Sequence, residues 1–298
     1  MKERKDNMAN ETKTASMDNS TLRIHSYYDN MGMAERKVAD WILKHRDESI
    51  KLSIVELAGK TGASEATIAR FARKLGYGGY QEMKIAFAQD ESRGYKPTHE
   101  SVKKADTCSK IFDKVIGDVD ETLMHTRAVL SDKKLEAAAE AIHNAKKLLV
   151  IGLGASASVA MDAAHKFLRE GIDCTYSSDN HMQVILASHL TEKDVVLAIS
   201  HSGSSKDIIE AMEVAKSCGA TTISISNYGK TPIDKVSDIE LNTAADETKF
   251  TMLALSSRIA QLCIIDTLYL YVVMRRDKAA ANAIAKVEKA LETKKVEK

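Results

Sequence analysis

Two short stretches of this sequence concentrate groups able to hold an anion, and each follows directly on an apolar run. The first reads Leu149-Val-Ile-Gly152-Leu-Gly154-Ala-Ser156-Ala157, placing glycines between a strand and a helix. Glycine there lets a ligand approach backbone N–H groups at the helix start, where the dipole favours negative charge. The same spacing satisfies Gly-x-Gly-x-x-Ala, the dinucleotide fingerprint, with Asp173 about the expected distance downstream. A purely structural strand-to-helix turn accounts for it as well. The second stretch, Leu197-Ala-Ile-Ser200-His-Ser202-Gly203-Ser204-Ser205-Lys-Asp207, packs four serines and a glycine into six positions. Hydroxyls and converging N–H groups suit a phosphate monoester, whose oxygens need several donors but few counter-charges. A dinucleotide site has no need of this second serine cradle, so the two loops together point to a small phosphorylated ligand.

A third segment carries chemistry of a different kind. Between Ser53 and Gly76, Ile54, Leu57 and Ala58 line one face of a short helix, and Gly62 supplies a residue tolerant of positive φ. Ser64 stands where an N-cap belongs, and Ile68, Phe71, Ala72 and Leu75 line the inner face of a second helix. This is a helix-turn-helix arrangement, whose second helix is offered to the DNA major groove. Glu65, Ala66, Thr67, Ala69, Arg70, Arg73 and Lys74 remain for its outer side. The first of these would reach base edges, and Arg70, Arg73 and Lys74 would meet bases or phosphates. From Lys60 to Lys84 there are five basic residues and two acidic ones, in a chain whose formal net charge is only +1. The positive charge is thus local. A plain helical hairpin with a basic outer face fits the periodicity equally well.

The surrounding elements divide the 298 residues, enough for two domains of usual size. Residues 1–20 lack hydrophobic periodicity and are expected to form a flexible tail. Residues 21–92 read as an all-helical domain, and 93–125 as a linker, marked by Gly94 and Pro97, with a connecting helix. From 126 to 276 short apolar runs alternate with helical periods. Strands are expected at 147–151, 173–176, 195–200, 221–225 and 239–241, with helices near 156–169, 180–189, 205–218, 232–237 and 250–275. That rhythm predicts α/β architecture, a doubly wound five-stranded parallel sheet with its ligand at the carboxyl ends of the strands. Residues 277–298 are expected to be a helical tail. The apolar stretch 253–274 is interrupted by Arg258, Gln261 and Asp266, which predicts a buried helix and no membrane span. With no signal-like segment, a cytoplasmic location is expected. The cysteines at 108, 174, 218 and 263 have neither close pairing nor a His-rich setting, so no disulfide framework, metal site or cofactor is expected.

Gly76-Tyr77-Gly78-Gly79-Tyr80 closes the second helix with a sharp turn, and Ala34 to Leu43 upstream forms an amphipathic helix. Over about residues 34–87 this pattern resembles the N-terminal domain of the RpiR family of bacterial transcriptional regulators. Residues 130–274 resemble the sugar isomerase (SIS) domain, the phosphosugar-binding half of those regulators. The resemblance rests on the loop Ser200 to Ser205, on Asp162, Lys166 and Arg169, and on the helix from Ser257 to Asp266. It implies that Ser200, Ser202 and Ser205 hold the phosphate, with Gly203 and Ser204 in the same loop. It further places Gly154 and Ser156 on the sugar side and Glu247 near the sugar hydroxyls. His201 stands where an aromatic residue is often seen.

The implied protein is a sugar-phosphate-responsive regulator of carbohydrate metabolism genes that binds operator DNA as a homodimer or dimer of dimers. SIS domains also occur as aldose-ketose isomerases, for which Glu247 with His181, His189 or His201 would supply proton-transfer groups. The helix-turn-helix tips the balance toward the regulator, because an isomerase gains nothing from a DNA-reading module, and the isomerase stands as the alternative.

Overall fold

The computed structural model describes residues 20–28, 31–92, 102–245 and 255–294. These group into two compact units dividing at residue 97.

The first unit is helical, with α1 (Ser20–Tyr28), α2 (Met33–Lys44), α3 (Arg46–Ser49), α4 (Ile54–Thr61), α5 (Glu65–Lys74) and α6 (Tyr80–Ser92). Its core is one apolar cluster in which Ile24, Val38, Ile42, Leu57, Ile68, Phe71, Leu75, Met83 and Phe87 are buried. Local capping sets the α4–α5 turn. Ser53 Oγ accepts from the Glu56 N–H at 3.3 Å while Glu56 Oε2 accepts from the Ser53 N–H at 2.7 Å, a reciprocal cap for α4. Gly62 ends α4 in the left-handed region at φ 66°, and Ser64 Oγ caps α5 through the Thr67 N–H at 3.2 Å. At the other end of α5, Gly76 takes φ 89°. There the Tyr77 N–H reaches Ala72 O at 3.1 Å and the Gly76 N–H reaches Arg73 O at 3.0 Å, a Schellman closure.

The second unit runs α7 (Cys108–Val129), α8 (Asp132–Asn144), β1 (Leu148–Gly152), α9 (Ala155–Arg169), β2 (Cys174–Ser177), α10 (Asn180–Ala187) and β3 (Val195–Ile199). It continues with α11 (Lys206–Ser217), β4 (Thr221–Asn227), a 3-10 turn (Pro232–Lys235), β5 (Ile239–Thr243), α12 (Leu255–Arg276) and α13 (Lys278–Leu291). The strands form one parallel sheet in the order β2-β1-β3-β4-β5. Every residue of β1 and β3 is buried, because helices cover both faces, and that is why these strands read as continuous apolar runs. Leu148, Val150, Leu197 and Ile225 pack with α8, α9 and α12 on one face. Leu149, Ile151, Val196 and Ala198 pack with α10 and α11 on the other. The α + α/β expectation therefore holds. The span 232–237 is a single 3-10 turn rather than a helix, and the expected start of the closing helix, 250–254, lies outside the described residues.

Helix α12 is long and apolar enough by itself to cross a membrane, and its packing explains that composition otherwise. Ala260, Ile264, Ile265, Leu268 and Val272 are buried against the unit's own core, and α7, α8 and α9 all lie against this helix. Ile265 and Tyr269 thus serve intramolecular packing, the latter edge-on to Phe167. Leu255 and Ile259 remain exposed. Lys166 ties α9 to α12, lying 2.5 Å from both Asp162 Oδ2 and Asp266 Oδ1. Cys174 is buried and its thiol is pushed up to about 12, which leaves it inert near neutrality.

Glu170, at the end of α9, is fully buried, and burial raises its carboxyl to about 7, with Arg276 and Tyr269 offsetting only part of the effect. The folded chain therefore holds this proton more tightly than the unfolded chain, whose glutamate titrates near 4.5. The resulting stabilisation is complete below about 4.5 and is lost as pH rises through about 7, with an upper bound of about 3 kcal/mol. Melting curves at pH 5 and pH 8 check this. Glu170→Gln is expected to flatten the difference between them, and an unaltered difference would place the titrating group elsewhere.

Candidate functional site

The strand order reverses at β1, since β1 leads to β2 on one side while β3 lies on the other. Open α/β sheets place their ligand crevice at this switch point, outside the carboxyl ends of the strands. Gly152 stands in register with Ile199, so the loops that follow β1 and β3 leave the sheet side by side. A Cβ on Gly152 would lie 2.9 Å from Ser156 O and 3.1 Å from Ala160 Cβ, so this glycine is what lets α9 close down on β1. Gly154 turns the chain into α9 at φ 56° with open space around it. Ser156 is buried in the first turn of α9, and its hydroxyl has no partner among the described residues.

The serine loop is held from three sides. The Ser200 N–H extends the β3–β4 ladder to Ile225 O at 3.0 Å, the Asn227 N–H donates to His201 O at 2.9 Å, and the Ile233 N–H to Gly203 O at 2.9 Å. Gly203, at φ 58°, makes the bend against the 3-10 turn. Ser202 Oγ accepts from the Ser204 hydroxyl at 2.9 Å and the Ser204 N–H at 3.3 Å, which leaves the Ser202 proton free to donate. Ser205 is the N-cap of α11 but makes no side-chain cap bond, so its hydroxyl and the first N–H groups of α11 remain available as donors. The hydroxyl of Ser200, itself buried, has no partner among the described residues. Asp207 Oδ1 accepts from Asn180 Nδ2 at 3.3 Å, which joins the starts of α10 and α11. Beneath the first loop, fully buried Gln183 donates through Nε2 to Ser177 O at 2.9 Å and Gly152 O at 3.3 Å. The structure therefore brings Gly154, Ser156, Ser200, Ser202, Gly203, Ser204 and Ser205 to the carboxyl ends of the neighbouring strands β1 and β3. Glu247 lies outside the described residues.

In the first unit α5 presents Ser64, Glu65, Ala66, Arg70 and Arg73 outward, with Thr67 half-buried. Ser64 Oγ and Thr67 Oγ1 bond to each other at 2.9 Å, so both serve the cap as well as the surface. Arg73 has no partner among the described residues. Arg70 Nε and Lys74 Nζ instead meet Glu35 of α2, at 3.3 Å and 2.8 Å. Sequence reasoning did not single out Glu35, Gln183, Asn227 or Thr231. Glu35 did carry a signal, being the acidic residue three places after Gly32 at the start of an amphipathic helix.

Residues 18–94 match the helix-turn-helix domain of the rpiR family, and residues 141–271 match the SIS domain. An uncharacterised HTH-type transcriptional regulator of Caldanaerobacter subterraneus is 36% identical over 263 residues, covering 88% of this chain and 93% of the relative. The chain belongs to the RpiR family. A second relative, the HTH-type transcriptional regulator HexR of Escherichia coli, is 30% identical over 94% of this chain and 96% of its own length. Among solved structures, the NanR protein of Vibrio vulnificus, complexed with ManNAc-6P, is 26% identical with a TM-score of 0.60, covering 94% of this chain and all of that one.

As an RpiR-family chain, this protein is a helix-turn-helix transcriptional regulator with a SIS domain, which favours the regulator expectation over the isomerase. Of the three candidate histidines, His201 stands within the serine loop, between Ser200 and Ser202. His189 lies beyond the end of α10, in the connection that leads to the amino end of β3, and His181 is exposed in the first turn of that helix.

Proposed function

We propose that the SIS domain binds a sugar phosphate at the β1/β3 switch point and that occupancy controls operator binding by the helix-turn-helix domain. Ser200, Ser202 and Ser205, with the N–H groups at the start of α11, hold the phosphate, Gly203 and Ser204 shape the same loop, and Gly154 and Ser156 face the sugar. Ser64, Glu65, Ala66 and Thr67 face base edges, with Arg70 and Arg73 beside the phosphate backbone. The protein acts in the cytoplasm as a homodimer or dimer of dimers, because two heads are needed for two half-sites. It senses its ligand and does not turn it over, and its targets are genes of carbohydrate metabolism. The ligand shifts the population of SIS-domain arrangements by binding one of them better.

The observation that carries this reading is the convergence of unsatisfied donors. The Ser200 and Ser205 hydroxyls, the free proton of Ser202 and an α11 start without a side-chain cap sit beside the β1 loop. That donor set suits the three oxygens of a phosphate monoester. The sugar-phosphate ligand of NanR is in keeping with it.

A thermal-shift screen of hexose and pentose monophosphates, with N-acetylmannosamine 6-phosphate and NAD included, tests the claim. A true ligand at a hundredfold over its Kd is expected to stabilise the unit by about 2.7 kcal/mol. Ser202→Ala is expected to lose that response while the unliganded protein keeps its DNA affinity. Stabilisation by NAD with none by any sugar phosphate would defeat the reading, as would rapid conversion of an aldose phosphate to its ketose.

A further inference from the structure

Glu35 is an unusual carboxylate for a DNA-reading domain. It sits in the first turn of α2 with its side chain only 7% exposed, and every polar contact it makes is charge-assisted or caps a helix. Oε2 accepts from the Gly32 N–H at 3.0 Å and from Lys74 Nζ at 2.8 Å, and Oε1 accepts from Arg70 Nε at 3.3 Å. Hydrogen bonds from Lys74, Gly32 and Arg70 hold its carboxyl below the usual glutamate range although burial opposes them. The two cations differ. The Lys74 side chain is 28% exposed and points inward to this anion, whereas Arg70 is 68% exposed. Arg70 bonds the carboxylate through Nε, and its two terminal nitrogens make no hydrogen bond to Glu35.

We propose that Glu35 is the positioning residue of the recognition helix: it fixes α5 on α2 through Lys74 and holds the Arg70 guanidinium with its terminal edge toward DNA. The inference rests on the DNA-binding role of α5 given above and goes beyond it by dividing the basic residues. Lys74 is an internal counter-ion rather than a phosphate contact, Arg70 is a braced contact, and Arg73 is an unbraced one. A buried anion beneath the binding face also lowers the electrostatic attraction for any duplex, whatever its sequence.

The test uses the full chain, a duplex enriched by the wild-type protein from a randomised library, and a scrambled duplex of the same composition. Affinities are measured across a salt series. Glu35→Gln keeps the shape and an acceptor but removes the charge. It is expected to bind the scrambled duplex more tightly and with a steeper salt slope, while discrimination between the two duplexes falls about tenfold. Lys74→Met leaves the Gly32–Glu35 bond in place and provides the same readout should Glu35→Gln fold poorly, a point settled by its melting curve. Its discrimination is expected to fall with little change in slope. A slope lower by about 0.9 would put Lys74 on a phosphate and overturn the division. Equal changes on both duplexes would reduce Glu35 to a helix cap. If the wild-type chain bound no duplex in a salt-dependent manner, the DNA-binding reading itself would fail first.

Discussion

Gly203→Ala is expected to destabilise the SIS domain by about 2–5 kcal/mol, combining roughly 1–2 for a side chain in the left-handed region with roughly 1–3 for overpacking. The added Cβ would lie 2.5 Å from Thr231 Oγ1, 2.6 Å from Thr231 Cβ and 3.1 Å from Ile233 Cγ2. Neither neighbour can yield easily. Thr231 is held by Asp234 at both its N–H, 2.7 Å, and its hydroxyl, 2.8 Å, and the Ile233 N–H is bonded to Gly203 itself. For a unit of this size the expected fall in melting temperature is about 5–15 °C. Because Ser202 and Ser204 flank the bend, the variant is also expected to lose its response to sugar phosphates. Gly117→Ala is the control within the same unit, since a Cβ there meets nothing within 4 Å and alanine favours the helix. A Gly203→Ala protein with wild-type melting temperature and ligand response would show that the loop accepts a side chain, and the donor geometry argued above would be wrong.

Arg70→Ala combined with Arg73→Ala is expected to weaken operator binding about a hundredfold at low salt, taking roughly tenfold for each contact. The slope of log affinity against log salt should become less steep by about 1.8 if both residues meet phosphates. The fold should survive. Arg73 is exposed, and the Arg70 pair with Glu35 lies at the surface on the arginine side, where such a pair contributes less than about 1 kcal/mol. Melting curves establish that point before the binding isotherms are read. Unchanged affinity and slope would remove α5 from the DNA interface.

Much of this architecture was legible from residue order, and the reason is locality. The α4–α5 turn depends on Ser53, Gly62 and Ser64, each acting within four residues of itself, so its form is written in the text. The strands were recognisable because both sheet faces are covered, which demands unbroken apolar runs such as Leu148–Ile151 and Val195–Ile199. Their ends moved by one or two residues, as β4 shows by continuing to Asn227, where Asn227 bonds Ala245 across the sheet edge. The glycine and serine loops could be found for the same reason, since each is a strand end followed at once by a helix start.

What remained hidden lies between segments remote in sequence. Glu35 meets Arg70 and Lys74 across 35 and 39 positions, so the outward count of basic residues on α5 could not reveal that two of them share one anion. Gly203 owes its intolerance of a side chain to Thr231, and Ile265 its burial to helices that arrive much earlier in the chain. By itself the sequence determined the helix-turn-helix, the parallel α/β class and the two loops, because periodicity, capping and turn chemistry act over a few residues. Only the tertiary structure decided that the loops lie side by side, which basic residues are free and which glycine is irreplaceable. Those properties depend on strand register and on ion pairs and close packing between distant segments, and such contacts exist only once the chain has folded.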